Sequence, residues 1–124
     1  MTVWKKKLQM PNNKKYLSML GMARRAGKLA MGHDLALKAI KAKKAQLLIF
    51  AQDASPRVEK EFQKHIVNLS CNIPVIRIEE SIADIHTALG YKAGIITVND
   101  NNFSRRITEL INLNQEENEY GNKG

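Results

Sequence analysis

Seven basic side chains, Arg24, Arg25, Lys28, Lys38, Lys41, Lys43 and Lys44, crowd into residues 24–44 with one acid, Asp34, among them. A run of charge is ordinarily a solvated face, but a merely soluble face intersperses acids with its bases, and here the acids are almost absent. Gly27 and Gly32 bracket the short segment between the two halves of the cluster. Glycine lets a backbone come close to a phosphate, and a helix opening after Gly32 presents free N–H groups to it. The chemistry this pattern supports is anion binding. The asymmetry reaches further, because residues 1–44 hold twelve Lys and Arg against a single acid while residues 45–124 hold eight against eleven, so the net charge of +8 arises wholly in the first third. Such a field draws polyanions and weakens with salt, which makes nucleic acid the first partner to consider.

Other chemistries fit less well. Residues 21–28, Gly-Met-Ala-Arg-Arg-Ala-Gly-Lys, approach a phosphate-binding P-loop, but one residue too many separates the glycines and Leu29 stands where Ser or Thr would meet magnesium. Nucleotide hydrolysis is set aside. His33, His65 and His86 are scattered, Cys71 is the single cysteine, and no pair of them has ligand spacing, so neither a metal nor a cofactor is expected. Cys71 lacks a base partner and reads as a small, partly buried residue, and His65 reads as a surface or boundary residue. His33, beside Gly32 and Asp34, either caps a helix or faces a ligand. A lone cysteine fits a reducing compartment, and the sequence has neither eighteen consecutive apolar residues nor a signal-peptide pattern; the expectation is a soluble cytoplasmic protein with no membrane partner.

The elements that must position the basic cluster follow from periodicity. Residues 1–10, with Lys5, Lys6 and Lys7 in a row, read as a flexible basic arm; residues 11–113 read as a single domain, and residues 114–124 as a disordered acidic tail. Tyr16, Leu17, Leu20 and Ala23 recur at helical spacing after Asn12 and Asn13, both good N-cap residues, and Gly27 stops that helix. A second helix runs from Gly32 to about Lys43, with Ala36, Leu37 and Ile40 on its inner face. Ser55 followed by Pro56 starts a third with the stripe Val58, Phe62, Ile66 and Leu69. Ser81 and Asp84 form a capping box for a fourth, closed by Gly90, and Phe103, Ile107, Leu110 and Ile111 mark a fifth. Between them, 47–51, 75–78 and 95–98 are short branched apolar runs that read as strands. Apolar runs of this kind suit strands buried on both faces, and the alternation predicts a three-layer α/β/α sandwich around a mixed sheet.

Residues 16–29, Tyr-Leu-Ser-Met-Leu-Gly-Met-Ala-Arg-Arg-Ala-Gly-Lys-Leu, then Gly32, then Lys38-Ala39-Ile40, Asp53, Pro74 and 88–90, resemble the bacterial YlxQ-type members of the kink-turn-binding ribosomal protein superfamily, the archaeal L-seven-Ae type. The resemblance implies a mixed four-stranded sheet, with 29–31 as a first short strand that periodicity alone does not establish. It also implies an RNA partner: a sharply bent duplex whose sheared G·A pairs expose guanine edges to the start of the second helix. Asn-Glu and a Lys three residues after the Glu are typical there, and this chain has Asp34, Leu35 and Lys38 in those places. Lys38 matches and can donate to guanine O6 and N7. Leu35 removes the carboxylate acceptor, which forfeits about 1–3 kcal/mol of guanine selectivity. A second contact region falls at 90–94, where Tyr91 either stacks on a splayed base or covers the end of the core, and Lys92 meets a phosphate.

The preferred expectation is a non-enzymatic, ribosomal-protein-like RNA-binding protein, a monomer acting on a kink-turn or similarly bent ribosomal or other stable RNA, with the ribosome as a possible setting. Asp34 and Lys38 would contact bases, Gly32 and His33 the backbone, and Lys28 and Lys41 phosphates. The alternative is a protein-interaction module using the same sandwich with a basic arm.

Overall fold

A computed structural model of the chain describes the backbone of residues 14–123 and the side chains of 14–114. The expected basic arm and the Asn12 and Asn13 caps lie outside the described residues. The elements are α1 (Lys15–Arg25), β1 (Leu29–Met31), α2 (His33–Lys41), β2 (Leu47–Phe50), α3 (Pro56–Asn68), β3 (Val75–Arg77), α4 (Ile82–Leu89), β4 (Ile95–Val98) and α5 (Asn101–Lys123). The four strands form one sheet in the order β1-β4-β2-β3. β4 pairs antiparallel with β1 and β2, aligning Val98 with both Leu29 and Leu47, while β2 and β3 run parallel with Leu48 opposite Val75. The three-layer α/β/α sandwich with a mixed sheet is therefore present: α1, α4 and α5 pack together on one side, and α2 and α3 on the other.

Every residue of β2 and β4 is buried, as continuous apolar runs require of strands covered on both faces. β3 departs from this expectation. Among the described residues it is an edge strand, and its Val75 and Arg77 are exposed. Arg77 ties the strand to the segment after β2 by donating to the carbonyls of Ala51 and Gln52 at 3.2 and 2.9 Å, and it pairs with Glu59 of α3. On the α2/α3 side Phe50 meets Phe62 edge to face, with ring centroids 6.2 Å apart.

Helix ends follow local chemistry. Ser55 accepts from the Arg57 N–H with Pro56 in the first turn, and the Ser81–Asp84 box is closed in both directions at 3.0 and 3.1 Å. Asp53 adds a bond from the Ile82 N–H at 2.9 Å. α1 begins differently from expectation: Lys14 holds the N-cap position without a side-chain cap. Its ammonium instead reaches Glu79 and Glu80 at 2.6 and 2.8 Å, and Tyr16 donates to Glu80 at 2.7 Å. Burial works against the Lys14 ammonium, but the two carboxylates outweigh it and raise its pKa; burial and then Glu80 push the Tyr16 phenol far above its ordinary value. This clip joins the start of α1 to the segment between β3 and α4. α5 runs to Lys123, past the expected boundary at Asn114, because extending a formed helix costs far less than starting one.

Three helices end in the same six-residue hydrogen-bond pattern. Lys28 N–H bonds to Ala23 O and Gly27 N–H to Arg24 O; Lys44 bonds to Ala39 and Lys43 to Ile40; Cys71 bonds to Ile66 and Ser70 to Val67. The residue that turns left-handed is glycine only in the first, with φ +74° at Gly27, +59° at Lys43 and +54° at Ser70. A side chain in that conformation costs about 1–2 kcal/mol, partly offset by glycine's larger unfolded-state entropy. Lys43→Gly is expected to raise stability by roughly 0.5–1 kcal/mol in urea denaturation.

Candidate nucleic-acid interface

At the top of β1 the chain must leave the sheet and begin a helix within one residue. Gly32 does this with φ +98° and ψ 164°, a conformation open essentially to glycine alone. Its N–H donates to Ile95 O at 2.9 Å, extending the β1–β4 ladder, and its carbonyl accepts the Ala36 N–H at 3.0 Å as the first bond of α2. Among the described residues no side chain caps this terminus and none bonds the N–H groups of its first turn. Ala36, Ala39 and Ile40 bury the inner face of α2, leaving Asp34, Leu35, Lys38 and Lys41 exposed.

The loop after α4 arrives at the same place. Gly90 closes α4 in the left-handed region, and its αL turn carries Tyr91 across to the Gly32 turn, where a Cβ on Gly32 would stand 3.9 Å from Tyr91 Oη. Tyr91 remains 45% exposed, so it borders the turn without closing the core. Lys92 is exposed beside it. Two segments nearly sixty residues apart thus form one tip, whose exposed apolar surface is Leu35, 54% exposed, and the ring of Tyr91.

His33 takes another role. Its Nδ1 lies 3.2 Å from Asp34 Oδ1, its Nε2 3.2 Å from Glu61 Oε2, and its ring stands edge-on to Phe62 at 5.2 Å. The imidazole therefore ties the start of α2 to α3. Hydrogen bonds donated to the Glu61 and then the Asp34 carboxylate raise its pKa above 6.5. Lys28 stands apart from the other residues of the expected site. It precedes β1 and its carbonyl accepts the Asn99 N–H at 2.8 Å, so it stands at the opposite end of the strand from Gly32, about 13 Å away at strand rise. Lys38 is one helical turn from Asp34, and Lys41 roughly another turn on. Arg25, absent from the predicted contact set, has its Nη1 within 3.7 Å of a Cβ position on Gly21, where Leu89 of α4 also approaches. The Arg25 approach is an i,i+4 relation within α1, whereas that of Leu89 comes from the packing of α1 on α4.

The electrostatics favour the cations. Each Asp and Glu between 14 and 114 has an ion pair or hydrogen bond: Glu79 and Glu80 with Lys14, Glu59 with Arg77, Asp34 and Glu61 with His33, Glu109 with Arg106, and Asp53, Asp84 and Asp100 with backbone N–H groups. Among the described residues, Arg24, Arg25, Lys28, Lys38, Lys41, Lys43, Lys44 and Lys92 pair with none of them. All eight are exposed.

Gly32→Ala is expected to cost about 1–3 kcal/mol in denaturation experiments, since alanine cannot hold this φ and ψ without strain. For His33, a raised folded-state pKa means that its pairing stabilises the fold fully below pH about 6.5 and is lost as pH rises through the folded value. The side chain is 42% exposed, so the contribution is screened and small. An NMR titration should place the His33 midpoint above 6.5, and Glu61→Gln should lower it.

Comparison with known proteins fits this arrangement. Residues 14–108 match the description of the ribosomal protein L7Ae/L30e/S12e/Gadd45 family. An Enterococcus faecium protein named RNA-binding protein YlxQ is 30% identical over 100 residues, covering 81% of this chain and 94% of that protein. The Bacillus subtilis protein of the same name is also 30% identical over 100 residues, covering 77% and 94%. A Bacillus halodurans protein of unknown function has a solved structure that superposes with a TM-score of 0.71 at 30% identity, covering 80% of this chain and 98% of that one. The Giardia lamblia 15.5kD RNA binding protein shares the fold, with a TM-score of 0.61 at 18% identity over 77% and 81% of the two chains. The match spanning α1 to the middle of α5, and relatives aligned over nearly their whole length, lead to one conclusion: the chain belongs to the ribosomal protein L7Ae/L30e/S12e/Gadd45 family.

Proposed function

We propose that this protein is a non-enzymatic RNA-binding protein that grips a kink-turn or similarly bent structured RNA at the tip formed by α2 and the 90–94 loop. The observation that carries the reading is the meeting of Gly32 and Tyr91, which places an uncapped helix start, a half-exposed aromatic ring and unpaired lysines on one surface. Phosphate is held by the N–H groups of the first turn together with Lys38, Lys41 and Lys92; Tyr91 offers its ring to an unstacked base. The names of the Enterococcus and Bacillus relatives support RNA as the partner class.

Base reading at this tip differs from a guanine-specific one. Lys38 donates to guanine O6 or N7, but the exposed Leu35 cannot accept from a guanine amino group, and Asp34 is shared with His33. Affinity therefore leans on phosphates, and selectivity for sheared G·A pairs is weak. Affinity for a bent RNA should fall with a log–log salt slope of about −3 to −5. Lys38→Ala should weaken binding about tenfold, and Leu35→Glu should increase preference for a kink-turn over the same RNA with its G·A pairs replaced. Fluorescence anisotropy at several salt concentrations measures all three. A flat salt response, or no effect of Lys38→Ala, would refute this reading of the tip.

A further inference from the structure

The cations that the tip does not use gather at the other end of the sheet. Lys28 lies just before β1 and bonds through its carbonyl to Asn99, the residue after β4. Gln46, before β2, donates its N–H to Val98 O at 2.7 Å, and its side-chain amide reaches Lys44 O at 3.4 Å. Ser104 donates to Gln46 O at 3.3 Å, which brings the first turn of α5, with Arg105, against the same residue; Gln46, Asn101 and Arg105 line one shallow groove. The backbone of Lys28 and Lys44 and the first turn of α5, with Arg105, therefore meet at the end of the sheet marked by Asn99 and Asp100, and Lys43 adjoins Lys44 in the turn after α2. All four are exposed, and none has an ion pair among the described residues.

The nearby acids do not neutralise these cations. Asp100 is occupied by the Phe103 N–H at 2.9 Å, and Glu109 by Arg106. Neutral donors stand among the cations: Asn99 accepts from Thr97 through Oδ1 and keeps its NH2 unpartnered among the described residues. Lys43 is the most telling member. It occupies a left-handed turn at φ +59° where glycine carries less strain, so a cation is held at this corner at the expense of local stability.

We infer that this far end is a second RNA-binding surface, distinct from the tip, which holds the phosphates of a duplex stem through Lys28, Lys43, Lys44 and Arg105. Cations with interspersed amides and no reading element suit A-form duplex, which proteins recognise by shape and backbone rather than sequence. α2 spans the interval, about 13 Å long at helical rise, with Lys38 and Lys41 on its exposed side; a stem leaving the tip along α2 reaches the far end. The inference shares RNA as partner with the proposed function, but not its account of the bend.

The test uses the full chain and three RNA probes: a bent RNA with short stems, the same RNA with one stem lengthened by about ten base pairs, and an unbent duplex of the longer length. The variants are Lys43→Gly, which should fold more stably than the parent, and the triple Lys28→Gln, Lys44→Gln, Arg105→Gln. The triple variant is expected to lose about tenfold or more on the long-stem RNA and on the plain duplex, with the salt slope reduced by about 2–3, while the short-stem RNA changes less than about twofold. Lys43→Gly should show the same selectivity at smaller size. Lys38→Ala should weaken both bent RNAs. If the variants bind the long-stem RNA and the duplex as the parent does, or lose equally on short and long stems, the second surface is refuted. If the parent does not prefer bent RNA to duplex but the triple variant still loses the duplex, the tip reading fails and the far end stands.

Discussion

Everything at the tip depends on the backbone at Gly32. Its N–H completes the pairing of β1 with β4, its carbonyl begins α2, and its left-handed φ lets both happen within a single residue. A side chain there would strain the turn through its φ of +98°, although a Cβ would meet the Tyr91 hydroxyl only at ordinary contact distance. The turn thus fixes where the open N–H groups lie, and the sheet behind it is rigid because β2 and β4 are buried throughout.

The second organising feature is the employment of the acids. Glu80 is buried and held by Tyr16 and Lys14, and breaking a buried pair of that kind leaves an uncompensated charge. Asp53, Asp84 and Asp100 sit at helix starts, where a carboxylate meets free N–H groups and the positive end of the helix dipole. Glu59 and Glu61 fasten α3 to Arg77 and His33. The carboxylates are internal fasteners, and the lysines and arginines of residues 24–44 are what remain for solvent and partners. The field inferred from the raw count of charges is therefore also a field of unpaired groups.

Much was legible in the sequence because it depends on contacts a few residues apart. Ser55-Pro56, the Ser81–Asp84 box, Gly27 and Gly90 each specify a helix end through their own hydrogen bonds, and the stripe through Phe62 and Ile66 specifies which face is buried. β1, at three residues, is too short for periodicity to show, and only the family resemblance implies it. Lys14 at the N-cap position, Arg77 against the carbonyls of 51–54, and the exposure of β3 were hidden because they depend on which strand is outermost.

The sequence by itself determined the elements, their caps, the alternation that requires a covered sheet, and the excess of cations in the first third, since these follow from composition and local bonding. Only the tertiary structure decided which cations stand together. Pairing Leu29 with Val98 and Met31 with Ile96 sends Lys28 and Gly32 to opposite ends of β1, so residues four apart in the chain stand at different ends of the sheet. The same folding brings Tyr91 to Gly32 and Arg105 to Gln46, contacts that no spacing rule encodes, because they are set by where the ends of packed elements meet in space.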